Sequence, residues 1–201
     1  MDCEMVGVGM GGCKSALARV TLVDWNCCVV YDKFVLPAVP VTDYRTFVSG
    51  ITAADLEENA IDRETCRQHV RTLLQGKILV GHALKNDLHA LCITHPWQDT
   101  RDTAKYEPFM KVRFVEDGIL WPRKLSELCH EKLNLDIQQP GMPHSAYEDA
   151  VAALQLYKSV RPKWEKVMTY KIQKTAAIEN QRQPAMTPLT RTALLPIASA
   201  A

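Results

Sequence analysis

Three consecutive segments with the pattern of β-strands open the chain, and they restrict its fold more than any other feature. Residues 1–7 (MDCEMVG) form a short strand-like run that ends in glycine. Residues 16–25 alternate polar and apolar side chains, as a strand with one buried face does. After a short turn, residues 28–36 have the same character. This opening predicts three strands linked by hairpins.

Helices and further strands alternate along the rest of the chain. Thr52 is predicted to be the N-cap of the first helix, after a loop that Pro37 and Pro40 open and that runs to about Gly50. Strands first, and then helices alternating with strands, indicate a mixed α/β sheet with helices on both faces. The predicted helices cover residues 52–59, 63–75, 84–92, 124–133 and 145–160, and the further strands cover residues 77–80 and 100–102.

The chain of 201 residues has the length of one domain with a full core. Residues 1–160 are predicted to form this domain. Residues 161–182 are basic and are predicted to form a helical extension, which either contacts nucleic-acid phosphates or is a solvated helix. Residues 183–201 are rich in proline, threonine and alanine and are predicted to be disordered.

Charge and cysteine content narrow the class of protein. The net charge is +1, so any nucleic-acid contact must come from a local basic patch and not from a global field. The seven cysteines contain no C-x-x-C pair, which predicts reduced thiols and an intracellular location. Acidic residues at positions 2 and 4 argue against a signal peptide, and no apolar run approaches the ~18 residues of a membrane span.

Two carboxylates lie two residues apart in the first strand. Residues at that spacing face the same side of a strand, so Asp2 and Glu4 are predicted to project together while Met1, Cys3 and Met5 face the other side. Two like charges held together out of water are costly unless a positive charge lies between them. A divalent cation is the simplest such charge.

Two further carboxylates fall on the apolar faces of predicted helices. Asp87 lies between Leu84 and Leu91 on the stripe of its helix, and Asp149 lies between Ala146 and Ala153. Either residue alone could be a cap or part of a buried salt bridge. Together with Asp2 and Glu4, however, they make four inward carboxylates from three segments. Such a set predicts a two-ion site, in which two metals about 3.5–4 Å apart hold the oxygens of a phosphodiester.

One histidine is placed to assist such a site. His144 lies five residues before Asp149, just ahead of the predicted helix. This position makes it a candidate general base for an attacking water. His82, beside Gly81, is interpreted instead as a packing residue.

A glycine-rich run after the first strand imitates a dinucleotide-binding fingerprint. Gly7, Gly9 and Gly12 have the G-x-G-x-x-G spacing, and Asp32 follows twenty residues later. That motif requires a helix next, whereas the following residues have the pattern of a strand. A P-loop is excluded because Cys13, and not lysine, follows Gly12. The glycines are therefore interpreted as a hairpin loop.

Three motifs resemble a known enzyme family. The runs DCEMVG, GHALKNDL and HSAYEDA closely resemble, in order and spacing, the three exonuclease motifs of the DEDDh family of 3′→5′ exonucleases. Residues 43–52 (DYRTFVSGIT) and 101–106 (RDTAKY) resemble the small eukaryotic RNA exonucleases, which include ribosomal-RNA-processing and interferon-induced members. The resemblance covers about residues 1–160. It implies a ribonuclease-H-like fold with a five-stranded mixed sheet flanked by helices.

The resemblance also implies a role for each site residue. Asp2 bridges two divalent ions, Mg²⁺ or Mn²⁺; Glu4 and Asp149 complete the site of the ion that activates water. Asp87 holds the second ion through water, and His144 takes the proton. By the same resemblance, Met5 packs on the terminal nucleotide. Arg45 either contacts the ribose or phosphate of that nucleotide or forms a salt bridge within its loop.

The implied activity is the release of nucleoside 5′-monophosphates from the 3′ end of single-stranded nucleic acid, RNA in preference to DNA. Ribosomal RNA processing and a nuclear or nucleolar location follow from the same resemblance, with the cytoplasm as an alternative. A DNA exonuclease and a non-catalytic RNA- or protein-binding module on this fold are the rival interpretations. Only Met1 precedes Asp2, whereas the family has several apolar residues there, which indicates either a fragment or a short first strand.

Overall fold

A computed structural model describes residues 1–112 and 118–182 of the chain. Nine strands are present in these residues: β1 (Asp2–Val8), β2 (Lys14–Val23), β3 (Val29–Leu36), β4 (Val41–Asp43), β5 (Ile61–Asp62), β6 (Leu79–Gly81), β7 (Thr100–Asp102), β8 (Lys111–Val112) and β9 (Leu120–Trp121). The same residues contain six α-helices: α1 (Thr46–Ser49), α2 (Ala53–Asn59), α3 (Arg63–Leu74), α4 (Lys85–Ala90), α5 (Leu125–Leu133) and α6 (Ala146–Arg182).

The main sheet has five strands in the order β4-β1-β2-β3-β5. The pairs β4–β1, β1–β2 and β2–β3 are antiparallel, and β3–β5 is parallel, so the sheet is mixed as predicted. β6 and β7 form a parallel pair, and the amino group of Met1 donates a hydrogen bond of 2.8 Å to the carbonyl of Val80 in β6. β1 therefore lies beside both β2 and β6, at the centre of the domain.

Apolar side chains are buried on both faces of the first three strands. On one face, Met1 and residues of β2 and β3 pack with α3 and α4, and Cys3 and Met5 pack against this cluster. On the other face, Val6 and Ala18 pack with Ile51 and with Leu56 of α2. A third cluster joins α5 to the first part of α6. Because side chains alternate along a strand, Asp2 and Glu4 share the face of Val6.

Local sequence explains several boundaries. Thr52 caps α2 as predicted, in a capping box in which the Asp55 amide donates to the Thr52 hydroxyl and the Thr52 amide donates to the Asp55 carboxylate. The glycine-rich loop leads from β1 through the 3₁₀ turn Met10–Gly12 into β2. A strand therefore follows the glycines, and the hairpin interpretation is confirmed.

Two expectations about the elements are corrected. The loop predicted over residues 37–50 contains β4 and α1, which are three and four residues long and too short to show a periodic pattern. The helix predicted over residues 145–160 does not end at residue 160. It continues through Pro162 to Arg182 and forms a single helix, α6, with the predicted extension. Proline removes one backbone hydrogen bond, but that loss does not end this helix of 37 residues.

The chain divides into two units at Pro162, and the described residues of the second unit are 163–182. The division of the chain into an exonuclease domain, an extension and a tail stays a prediction, and the tail at 183–201 lies outside the described residues. In the described part of the chain, none of the helices combines the length and apolarity needed to cross a membrane.

Candidate active site

The first two carboxylates project from the central strand. Asp2 is half-buried and Glu4 is buried, while Met1, Cys3 and Met5 lie on the opposite, apolar face, as the alternation predicts. The Glu4 side-chain oxygen Oε1 is buried and has no hydrogen-bond partner. A buried oxygen of this kind is costly unless a positively charged group lies against it.

Asp87 approaches β1 from the first turn of α4. Its side chain is buried. Burial raises the pKa of Asp87 to about 6, although the neighbouring Cys3 thiol acts in the opposite direction. The helix periodicity therefore placed this carboxylate correctly, on the inner side of α4.

Asp149 lies in the first turn of α6 and is also buried. The side-chain amide of Gln138 donates a hydrogen bond of 2.8 Å to Asp149 Oδ2. The other oxygen, Oδ1, is buried without a hydrogen-bond partner. Asp149 and Glu4 thus each present one unbonded oxygen inside the protein.

The four carboxyl groups influence one another's pKa values. The pKa of Asp2 is raised well above its usual value, first by burial and then by repulsion from Asp87, Asp149 and Glu4. Burial, followed by repulsion from Asp149, raises the pKa of Glu4 to about 8, although Arg19 opposes the shift. The pKa of Asp149 is raised too, mainly by burial. Ionisation of all four groups would therefore leave more negative charge in the cluster than its surroundings compensate.

A divalent cation fits this donor set. Carboxylate oxygens are the ligands that Mg²⁺ and similar hard ions prefer, and the unbonded oxygens of Glu4 and Asp149 are available to bind one. In residues 1–112 and 118–182, however, no three His, Cys, Asp or Glu side chains converge closely enough to hold an ion as they stand. The four side chains would therefore have to turn toward an ion to hold it.

His144 lies where the sequence predicted, at the start of α6 and beside Asp149. Its ring nitrogen Nδ1 is 3.8 Å from Asp149 Oδ2, and the side chain is 35% exposed. Its backbone amide donates a hydrogen bond of 2.7 Å to the carbonyl of Val48 in α1, which fixes the loop. The imidazole is thus both next to the carboxylates and reachable by water.

The two predicted nucleotide contacts have different surroundings. Met5 is half-buried and packs against the apolar cluster of α3 and α4. The Arg45 guanidinium donates hydrogen bonds to the carbonyl of Gly12, at 2.8 Å, and to the hydroxyl of Ser15, at 2.9 Å. Arg45 therefore ties α1 to the loop after β1, and its contact with a nucleotide stays a prediction.

Two residues near the site, Gln138 and Asp102, were not predicted as site residues from the sequence. Asp102, at the end of β7, is buried, and its Oδ1 accepts the amide hydrogens of Ala83, at 2.8 Å, and Ala104, at 3.0 Å. It thereby fixes the segment before α4, which carries Asp87. A carboxylate at the end of a short predicted strand could have indicated a role for Asp102. Gln138 lies in an irregular loop, where no sequence pattern indicates a role. His82 donates to or accepts from Thr103 at 2.9 Å, in keeping with a packing role.

The Gln138→Ala variant tests how much the orientation of Asp149 matters. Loss of the amide removes the hydrogen bond that lowers the pKa of Asp149, so this carboxylate should ionise less readily and bind a cation more weakly. Loss of a residue that hydrogen-bonds to a metal ligand typically lowers metal affinity by about 10- to 100-fold. The Mg²⁺ concentration for half-maximal activity should rise by that factor. Gln139→Ala, which removes the exposed neighbouring amide, is the control and should not change it.

A mixed sheet with four inward carboxylates and an adjacent histidine defines a nuclease-type site of the ribonuclease-H-like class. The exonuclease family model matches residues 1–157, so the chain belongs to the exonuclease family, and the DEDDh resemblance is confirmed. Exonucleases of this class generally depend on divalent metal ions. The family match covers every one of the five predicted catalytic positions, from Asp2 to Asp149.

Relatives named RNA exonuclease 4 are similar over most of the chain. The protein from Homo sapiens is 46% identical over 165 residues, which are 82% of this chain and 37% of that protein. The protein from Kluyveromyces lactis is 46% identical over 167 residues, which are 83% of this chain and 54% of that protein. The chain thus spans about half or less of the length of these relatives.

Two solved structures share the fold. The Pan2 pseudoubiquitin hydrolase–RNA exonuclease module of Saccharomyces cerevisiae, in complex with AAGGAA RNA, has a TM-score of 0.68 and 26% identity, and covers 91% of this chain and 32% of that one. The Pan2 catalytic unit of Neurospora crassa has a TM-score of 0.69 and 25% identity, and covers 87% of this chain and 28% of that one.

Proposed function

We propose that the chain is a metal-dependent 3′→5′ exoribonuclease that hydrolyses single-stranded RNA to nucleoside 5′-monophosphates. The observation that carries the proposal is the group of four carboxyl groups, three of them buried, that raise one another's pKa values, with His144 beside Asp149. The similarity to proteins named RNA exonuclease 4, and to a Pan2 module in complex with RNA, supports RNA as the substrate.

Each residue then has a chemical task. Asp2, Glu4 and Asp149 would hold one ion and Asp2 and Asp87 a second, both Mg²⁺ or Mn²⁺. Bound ions of this kind supply charge neutralisation for the phosphodiester and its leaving oxygen. His144, in its neutral form, accepts the proton of the attacking water. Gln138, which donates a hydrogen bond to Asp149, would hold that carboxylate in place for metal binding.

The proposal extends to substrate contacts and setting. Met5 and Arg45 are assigned to the terminal nucleotide, and catalysis is assigned to residues 1–160, with a basic extension at 161–182 and a tail at 183–201. The resemblance to ribosomal-RNA-processing enzymes supports a role in that process, in the nucleus or nucleolus.

A nuclease assay with matched oligomers tests the proposal. Single-stranded RNA and DNA of one sequence, labelled at the 5′ end, are incubated with Mg²⁺, with Mn²⁺ and with excess EDTA. The RNA should shorten from its unlabelled end in steps of one nucleotide with either ion. The DNA should shorten more slowly, because contacts to the 2′-hydroxyl distinguish the two sugars. Undiminished cleavage in EDTA would exclude the metal mechanism, and faster cleavage of DNA would reverse the substrate assignment.

A further inference from the structure

Three strongly exposed apolar side chains lie on segments that hydrogen bonds connect to the candidate site. Met10 is 93% exposed, Phe47 77% and Met142 62%, and these are three of the four most exposed large apolar residues in the described chain. Met10 lies in the loop after β1, Phe47 lies in α1, and Met142 lies two residues before His144. We call these three residues the apolar rim. Scattered exposed apolar residues are ordinary, but a group of them beside a candidate site indicates binding.

The short helix α1 connects the loops that carry the rim. On one side, Arg45 at its N-cap donates hydrogen bonds to Gly12, in the same turn as Met10, and to Ser15, at the start of β2. On the other side, the Val48 carbonyl accepts the amide hydrogen of His144 at 2.7 Å. The rim is therefore attached directly to the segment that carries the candidate general base.

Phe47 is exposed although its backbone is firmly held. The Thr46 hydroxyl donates to the carbonyl of Ile51 at 2.6 Å, and the Ser49 hydroxyl donates to the carbonyl of Tyr44 at 2.8 Å. These bonds and a buried Ile51 anchor α1 on both sides of the phenyl ring. Because the backbone is already fixed, stacking of a flat ligand on the ring costs only the freedom of the Phe47 side chain itself.

The chemistry of the rim fits the bases of an unpaired strand. A phosphodiester that reaches the carboxylates must bring its neighbouring nucleotides across the loops that border them. An aromatic ring stacks on any base because every base has a π-face, and methionine adapts its shape to different partners. Base-paired nucleotides would have no free face to offer to such a surface.

We propose that Phe47, flanked by Met10 and Met142, is a stacking platform for the unpaired bases on the 5′ side of the scissile bond. The proposal rests on the proposed function, since RNA must enter the site for its bases to reach the rim. It assigns to the rim a preference for single strands that is independent of base sequence. The platform binds substrate and takes no part in proton transfer or metal binding.

Binding measurements isolate this contribution. Fluorescence anisotropy of a labelled single-stranded RNA with Mg²⁺ is followed in the His144→Ala background, in which the carboxylates remain and turnover is slow. Adding Phe47→Ala should weaken binding roughly 5- to 150-fold, as expected for the loss of one stacked base. Phe47→Trp should bind as tightly as the parent, because it preserves the aromatic surface. Trp97→Ala, which removes an exposed aromatic ring from the turn before β7, is the matched control and should have no effect.

Abasic RNA provides the second arm of the test. Single abasic sites are placed in turn at the four nucleotides nearest the 3′ end. At one of these positions, removal of the base should weaken RNA binding by the protein that retains Phe47. In Phe47→Ala, removal of the same base should not weaken RNA binding further. Equal binding with and without Phe47, at equal melting temperatures, would overturn the platform while wild-type cleavage of RNA still stood. If wild-type protein failed to cleave RNA, the proposed function would fail, and the anisotropy series would still decide whether Phe47 binds bases.

Discussion

Replacing His144 with alanine should reduce the rate of RNA hydrolysis by about 10²- to 10⁴-fold, the range in which a general base contributes. The imidazole lies 3.8 Å from the Asp149 carboxylate and is reachable by solvent, so it is placed to accept a proton from water beside the ions. The variant retains all four carboxylates, so we expect Mn²⁺ to raise the melting temperatures of the variant and of the wild type equally. Initial rates and thermal melts measure these two properties separately.

Controls separate proton transfer from structure. Added imidazole should restore part of the lost rate in His144→Ala, because a small base can occupy the space of the missing ring. His130→Ala, which removes an exposed histidine bonded to Asp136, should leave the rate unchanged. Asp149→Asn should weaken both hydrolysis and metal stabilisation. If His144→Ala kept wild-type turnover, His144 would be a structural residue and another base would be required.

The Glu4→Gln variant should have opposite effects on activity and on stability. Loss of a carboxylate that the ions require should lower the rate of hydrolysis by more than about 100-fold. Loss of a residue that only hydrogen-bonds to a metal ligand already lowers affinity or activity by about 10- to 100-fold. Without metal, however, the variant should be more stable than the wild type at pH 8. The reason is that Glu4 has a pKa of about 8 in the folded protein and an ordinary pKa of 4.5 when unfolded.

The sign follows from proton binding. Between pH 4.5 and 8 the folded protein holds a proton on Glu4 that the unfolded chain has released, so the stability of metal-free wild type falls as pH rises through this window. A neutral glutamine of the same shape does not titrate, so the variant avoids this loss of unfolding free energy. The loss in the wild type should exceed about 1 kcal/mol, because each unit of pKa shift corresponds to about 1.4 kcal/mol.

Chemical denaturation at pH 5 and pH 8, with EDTA and with Mn²⁺, measures the effect. Wild type should gain much more stability from Mn²⁺ at pH 8 than at pH 5, and Glu4→Gln should gain little at either pH. Glu57→Gln, which changes an exposed glutamate of α2, is the control and should follow the wild type. A metal-free Glu4→Gln protein that was less stable than wild type at pH 8 would contradict the account of a strained carboxylate cluster.

The sequence was sufficient to predict those parts of the site that depend on periodicity. Alternation in β1 placed Asp2 and Glu4 on one face, and helical spacing placed Asp87 and Asp149 on inner faces. These patterns are regular because the elements are buried on one side. The same reasoning located β1 to β3 and α2 with its Thr52 cap.

Features that depend on contacts between distant segments could not be predicted in this way. β4 and α1 are too short to have a period, and they are held by bonds such as Arg45 to Gly12 and His144 to Val48. Gln138 contacts Asp149 from an irregular segment and has a backbone φ of +53°. No local sequence pattern predicts this conformation or this contact. Sequence thus identified the carboxylates, whereas the residues that orient them required the three-dimensional structure.

The central claim is that water, activated at this site, attacks the last phosphodiester at a 3′ end. Digestion of a linear RNA in H₂¹⁸O with Mn²⁺, with the 3′-terminal nucleotide unique in the strand, tests it in one mass-spectrometric measurement. The first product should be the nucleoside 5′-monophosphate of that terminal nucleotide, with one ¹⁸O in its phosphate. Release of internal fragments, of nucleoside 3′-phosphates, or of a 5′-monophosphate without ¹⁸O would contradict the account.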